Sequence, residues 1–373
     1  MPLKGNSLGL SIMGGAATWS VSAFFLLSGI LIAGSIKARS QTCFSLREYA
    51  IARFVRIYPP LLLAVLVTVT VVLVIRGLGL YGAETYLMPG DLAVPREKAE
   101  LTWSGVLTTL TLTYQLIPGH GFMVFNGPLW SLSFEVWLYV LAGLVAAAWF
   151  RGSLMAAFGA LSVAGMMFVV STASHPPFWA VGMVWGFGFA FGWLDDTGRR
   201  WFARRKWHFL VTALMVCLLI AQSDFAHFLV APYTGFRQHL VCVFFSFAIL
   251  CAIISLLHKR ETQLGAWVRI LAKASWFSYT LYLLHFPLFM LMFALFRPIT
   301  HPWGLAGAFG LAAFAVVAVV LVSWVTAKGV ENRSLIRSLF GGPAARLSAF
   351  QRTGMMASSS RKKRGMVANG GRD

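Results

Sequence analysis

Leu129-Trp130-Ser131-Leu132-Ser133-Phe134-Glu135-Val136-Trp137-Leu138-Tyr139 opens an apolar run that continues to about Phe150 and carries a carboxylate into a stretch of membrane-spanning length. An ionisable group at that depth costs roughly 2.5–3.5 kcal/mol even on the lenient insertion scale, so Glu135 reads as a functional residue. Ser131, Glu135 and Tyr139 recur at i, i+4 and i+8, forming one polar stripe on an otherwise greasy rod. The alternative is a carboxyl held by a neighbouring helix for packing alone.

The rest of the chain has the same character. Its 373 residues are 58% hydrophobic and only 12% charged, with a mean hydropathy of +0.74, which excludes an ordinary soluble domain. The reading is all-α: a polytopic membrane helical bundle. Apolar stretches near the length a helix needs to span lie at about 18–36, 57–75, 129–149, 154–171, 178–194, 208–223, 238–257, 275–297 and 303–327, nine in all. No signal peptide is read at the start, because a single Lys4 precedes the first run and no small-x-small site closes it.

A tenth apolar run, residues 103–117, is short, threonine-rich and ends at Pro118-Gly119. Charge bias decides its status. If it does not span, the loops 37–56, 150–153, 195–207 and 258–274 and the tail from 328 face one side with 25 of the 31 Lys and Arg. A full span would move Arg199, Arg200, Arg204, Arg205 and Lys206 to the face opposite Arg53 and Arg56, so the positive-inside rule makes it a short re-entrant or surface helix. Nine spans with a cytoplasmic C-terminus leave the N-terminus outside, which points to a lost preceding helix. The net charge of +19 thus records topology before it records a partner. No aromatic interleaving or recognition fold accompanies it, so nucleic acid is not an expected partner.

Arg53 and Arg56, three apart ahead of Pro59-Pro60, share a face at the cytoplasmic rim and can grip phosphate bidentately, or serve as ordinary positive-inside residues. The two prolines are placed in a first helical turn. Ser278, Tyr282 and His285 form a second stripe at i, i+4 and i+7, with a helix break expected near Pro287. His285 lies about 15 Å in, near mid-membrane, and is either catalytic or a hydrogen-bonded structural group. Ser28, beside Gly29, lies at similar depth and can line a cavity. Gly29 and Gly34, with Gly182, Gly186, Gly188 and Gly192, read as close-approach positions between helices. The four cysteines suggest neither a disulfide framework nor a metal site. There is no P-loop, dinucleotide glycine motif or Gly-x-Ser-x-Gly elbow. From Lys328 the chain becomes a basic, low-complexity tail, read as disordered and held near anionic lipid.

Four stretches in order resemble the acyltransferase 3 family of bacterial inner-membrane acyltransferases. Phe24-Phe25-Leu26-Leu27-Ser28-Gly29-Ile30-Leu31-Ile32 is similar to that family's Phe-Phe-x-x-Ser-Gly-Phe-Leu-Ile segment, and Arg53-Phe54-Val55-Arg56-Ile57-Tyr58-Pro59 to its Arg-x-x-Arg-Ile-x-Pro. Trp130-Ser131-Leu132-Ser133-Phe134-Glu135 matches Trp-Ser-Leu-x-x-Glu, and Ser278 to His285 resembles Ser-Tyr-x-x-Tyr-Leu-x-His. The resemblance implies a transmembrane domain over 1–327, N-terminally incomplete, followed by a cytoplasmic tail over 328–373. It also implies a first helix with an Arg and a catalytic His that no residue before Trp19 supplies.

The activity it implies is transfer of an acyl group, most often acetyl from cytoplasmic acyl-CoA, to a hydroxyl of a surface or exported glycan or lipid-linked saccharide. Acyl-CoA would be a co-substrate, with no bound cofactor and no metal. Arg53 and Arg56 would hold the donor's phosphates, and a cavity lined by Glu135, Tyr282, His285 and Ser28 would shield the acyl group from water. Glu135 would orient a base or the acceptor, and His285 is the histidine available to substitute as base. Two other readings stay open: a polytopic transporter or exporter, for which no inverted repeat is visible, and an inactive truncated member.

Overall fold

The computed structural model describes residues 7–41, 44–83, 99–114, 124–171, 178–221, 243–251 and 275–332. These residues form helices and their connections, with no strand among them. The chain divides into two compact units, Met1–Ile51 with Leu87–Lys273, and Ala52–Tyr86 with Ala274–Asp373. Among the described residues, four stretches are long and apolar enough to cross a membrane: Ser20–Ser40, Leu46–Gly77, Phe125–Arg151 and the run Ser275–Val330. Shorter apolar helices cover Leu154–Val169, Phe178–Trp193 and Trp207–Val216. The expected span at 238–257 and the tail beyond 332 lie largely or wholly outside the described residues, as do Cys43, Cys242 and His120.

The first unit is built on α1 (Ser7–Ser40), α3 (Trp103–Thr111), α4 (Trp130–Arg151), α5 (Leu154–Ser171), α6 (Phe178–Trp193) and α7 (Asp196–Ala221). Its tightest seam joins α1 to α6. A Cβ added at Gly188 would lie 2.0 Å from the Leu26 carbonyl oxygen, one at Gly29 2.2 Å from that of Trp185, and one at Gly192 2.8 Å from that of Ile30. Residue numbers rise together along both helices, and Lys37 Nζ reaches the Trp193 and Leu194 carbonyls at 3.4 Å each, so α1 and α6 run parallel. Small residues let the two backbones meet where apolar side chains gain nothing over lipid tails. Gly34 and Gly186 take no part, having open space where a Cβ would stand.

The helix α3 has nine residues, about 13 Å at the usual rise, too short to cross. Thr102 caps its start by accepting from the Gly105 N–H at 3.1 Å. It ends at Leu112 in the left-handed region, φ 57°, a conformation that costs a residue with a Cβ. Two α4 side chains one turn apart hold that end: Ser133 Oγ at 2.7 Å and Trp137 Nε1 at 2.9 Å donate to the Leu112 carbonyl. The non-spanning reading of this segment also fits α1 and α4 running parallel, since Ser28 meets the start of α4 and Ile36 its later half.

Several boundaries differ from those read in the sequence. The helix α2 runs from Leu46 to Gly77 straight through Pro59 and Pro60, which are interior rather than in the first turn. The basic segment 195–207 is helical from Asp196 onward, not a loop, and Asp195 Oδ1 accepts from the Gly198 N–H at 2.6 Å to cap it. Lys and Arg are good helix formers, so a helix continues past the hydrocarbon edge without a sequence break.

In the second unit, α8 (Ser278–Thr300) and α9 (Gly304–Val330) form a hairpin turned at His301–Trp303. No break occurs at Pro287 or Pro298, which both sit inside α8. Packed neighbours and local adjustments make such prolines tolerable in apolar helices. Glu331, just past α9, closes the hairpin: its Oε1 accepts from the Thr280 N–H at 2.9 Å and from Thr280 Oγ1 at 2.6 Å. That N–H belongs to the first turn of α8, where no intrahelical carbonyl can serve it. Glu331→Ala is expected to cost about 1–2 kcal/mol, read as a lower unfolding midpoint in detergent. An unchanged midpoint would show that the cap contributes nothing.

Candidate functional site

Glu135 occupies the second turn of α4 and is 4% exposed. Its Oε1 accepts from Ser28 Oγ of α1 at 3.2 Å and from the hydroxyl of Tyr139, one turn along its own helix. The Ser28 and Tyr139 oxygens are themselves 3.0 Å apart. Ser28 is 4% and Tyr139 5% exposed, so all three groups are sealed from solvent.

Local structure accounts for each position. Ser28 precedes Gly29 at the α1–α6 seam, and the missing Cβ there sets how deeply the α1 backbone sits. Glu135 and Tyr139 are four apart and share one face of α4. Phe134, also buried, stacks on Phe178 with ring centroids 5.6 Å apart. The Tyr139 carbonyl accepts from the Tyr49 hydroxyl at 3.1 Å. The Tyr49 ring faces Gly143, where a Cβ would come within 2.8 Å of it.

The chemistry follows from counting protons. With the carboxylate ionised, two hydroxyl protons serve three oxygen pairs. Either both hydroxyls donate to Glu135, or one donates to the other and that one to Glu135, in the order Ser28–Tyr139–Glu135 or Tyr139–Ser28–Glu135. The second arrangement is a relay that ends on a carboxylate. Hydroxyl donors of this kind are what keep a buried carboxylate affordable.

Of the six residues singled out in the sequence, the structure brings Ser28 and Glu135 together. It adds Tyr139, which lay on the same stripe but was not among the six. Its signal was the i+4 spacing. Ser131, the third member of that stripe, instead donates to the Pro128 carbonyl at 3.2 Å, at the start of the helix.

Tyr282 and His285 belong to the second unit and adjoin on α8, with ring centroids 5.7 Å apart. His285 Nδ1 lies 2.7 Å from the Tyr282 carbonyl oxygen, a bond within its own helix. Ser278, third on that stripe, is exposed and donates to the Ser275 carbonyl at 2.7 Å. Arg53 and Arg56 are half-buried on successive turns of α2, beside the Phe54–Tyr58 stack at 4.3 Å.

In comparison with known families, the family model for acyltransferase 3, described as an acyltransferase domain, aligns with residues 3–328. Comparison with curated proteins and with solved structures gives no match.

Proposed function

The chain belongs to the acyltransferase 3 family and is a membrane acyltransferase; on that premise we propose that it moves an acyl group, acetyl in the simplest case, from cytoplasmic acyl-CoA to a hydroxyl of a glycan or lipid-linked saccharide. The observation that carries this reading is the buried cluster of Ser28, Tyr139 and Glu135, a proton acceptor fed by two hydroxyls within 3.2 Å of one another.

In this reading the acceptor hydroxyl gives its proton, through Tyr139, to the Glu135 carboxylate as its oxygen attacks the thioester carbonyl. The carbon–sulfur bond then breaks. The departing thiolate of CoA takes the proton back, leaving an ester, a thiol and an ionised Glu135. Ser28 holds Tyr139 in place by donating its one hydroxyl proton to the phenolic oxygen. Arg53 and Arg56 grip the donor's phosphates, because paired guanidiniums present matched forks to phosphate oxygens. His285 is a second candidate for proton handling. Its bond to the Tyr282 carbonyl holds the ring within α8. The bacterial inner membrane, with the basic tail in the cytoplasm, is the setting that suits a CoA donor.

The test is a reconstituted assay. Full-length protein in proteoliposomes receives acyl-labelled acetyl-CoA, with the glycan-containing lipid fraction of host membranes as acceptor. Free CoA thiol and base-labile label in the acceptor are expected together. Neither product would appear from a transporter, and their absence would overturn the reading. Tyr139→Phe, which removes only the phenolic oxygen, is expected to lower turnover about tenfold to a hundredfold, the worth of one hydrogen bond to a charged group. Turnover equal to wild type would remove Tyr139 from the relay.

A further inference from the structure

An apolar groove of about 540 Å³ lies among α1, α4 and α6 of the first unit. One wall is an aromatic ladder on α6: Trp185 stacks on Phe189 at 5.1 Å and Phe189 on Trp193 at 5.8 Å. The floor is Ala142 and Ala146 of α4 with Ile36 of α1. Among the described residues, no charged or hydroxyl side chain lines it. Along α4 it extends from Leu141 to Phe150, about 13 Å at the usual rise, close to one leaflet's share of a hydrocarbon core about 30 Å thick. Val145 and Trp149 on its edge are 50% and 81% exposed, so it opens sideways, toward where a bilayer would lie.

The mouth of the groove is cationic. All three helices end there, α1 beyond Lys37 and α4 at Arg151. Lys37, next to the lining residue Ile36, donates from Nζ to the carbonyls of Trp193 and Leu194 at 3.4 Å each, which occupy two of the three donors of an ammonium. Arg151 is exposed beside Phe150, whose ring lies 6.1 Å from that of Trp193. A wholly apolar slot one leaflet deep, under two basic residues and a tryptophan, matches a lipid in both shape and charge. The amide-bearing arm of CoA fits poorly, since its polar groups would find no partner in the slot. We infer that this groove binds one acyl chain of an anionic membrane lipid, with its phosphate at Lys37 and Arg151. The chain's tip would lie one turn from Tyr139, covering the hydroxyl cluster against water from that side.

The experiment is native mass spectrometry of the full chain in mild detergent, offered equal amounts of phosphatidylglycerol and phosphatidylcholine with identical acyl chains. Retention of phosphatidylglycerol in preference is expected. The double variant Lys37→Ala with Arg151→Ala should reduce that preference about thirtyfold, at the usual worth of two surface cations. Ala146→Phe, which fills the floor, should abolish retention of both lipids; where that variant fails to fold, the charge variant decides alone. Equal retention of the two lipids by wild type, or an unchanged preference in the double variant, would overturn the inference. Displacement of bound phosphatidylglycerol by palmitoyl-CoA would also overturn it, by assigning the groove to an acyl donor.

Discussion

Replacing Glu135 by Gln is expected to lower acyl transfer by about 10²- to 10⁴-fold, the range lost with a positioned acid–base group, while the protein still inserts and folds. The amide keeps the length and planarity of the carboxylate, and its oxygen can still accept from Ser28 or Tyr139. It cannot take up a proton. Loss of transfer with an unchanged unfolding midpoint would therefore separate proton handling from packing. Glu135→Asp, which retains the acid but shortens it by one methylene, should recover part of the lost rate. Full activity in the Gln variant would leave the cluster a structural device and would shift attention to His285.

The second large effect concerns the seam rather than the chemistry. Gly188→Val is expected to prevent accumulation of folded protein, or to destabilise it by 3 kcal/mol or more, at the upper end of the ~1–3 kcal/mol usual for overpacking. The first carbon of the new side chain would stand 2.0 Å from the Leu26 carbonyl oxygen, and neither partner there is a flexible side chain that could move aside. Gly34→Ala and Gly186→Ala are the controls. Nothing lies within 4 Å of a Cβ at either position, and Ala gains up to about 1 kcal/mol of helix propensity over Gly. The sign of the effect should therefore reverse along one helix. Midpoints of thermal unfolding for the three variants in a common detergent would show it, and equal midpoints would remove α1–α6 contact as a determinant of stability.

Much of this was legible in the chain itself, for identifiable reasons. Glu135 stood out because lipid makes every charge expensive, and the bias of Lys and Arg between loops marked 103–117 as non-spanning, in keeping with the nine-residue helix at Trp103–Thr111. Helix ends were less legible. Pro59 and Pro60 read as a first turn, where a missing N–H is not needed, and Pro287 as a break, yet each is interior, since an apolar setting gives a freed carbonyl no better alternative. The pairing of Ser28 with Glu135 could not be read at all from spacing. Their 107-residue separation is closed by the register of α1 against α4, which no local pattern encodes. Thr280 and Glu331 escaped for the same reason, joined across a hairpin whose turn was visible but whose alignment was not. The glycines of the seam were visible as small residues, but only the packed helices separate Gly29, Gly188 and Gly192 from the idle Gly34 and Gly186.

The parallel run of α1 against α6 also sets an order of events during synthesis. Lys37 and its carbonyl partner at Trp193 are 156 positions apart, so at a usual elongation rate of 5–20 residues per second, α1 waits roughly 8–30 s for the helix that covers its glycines. Glu135 emerges before α6 does and can reach Ser28 first. A newborn α1 therefore keeps its bare backbone groove facing lipid through that interval, and its hydroxyl gains a partner on α4 only once the 107 positions to Glu135 have been made. The step most open to misassembly is the late arrival of α6, and a variant that slows it would be found in the cell as degraded chain rather than as inactive enzyme.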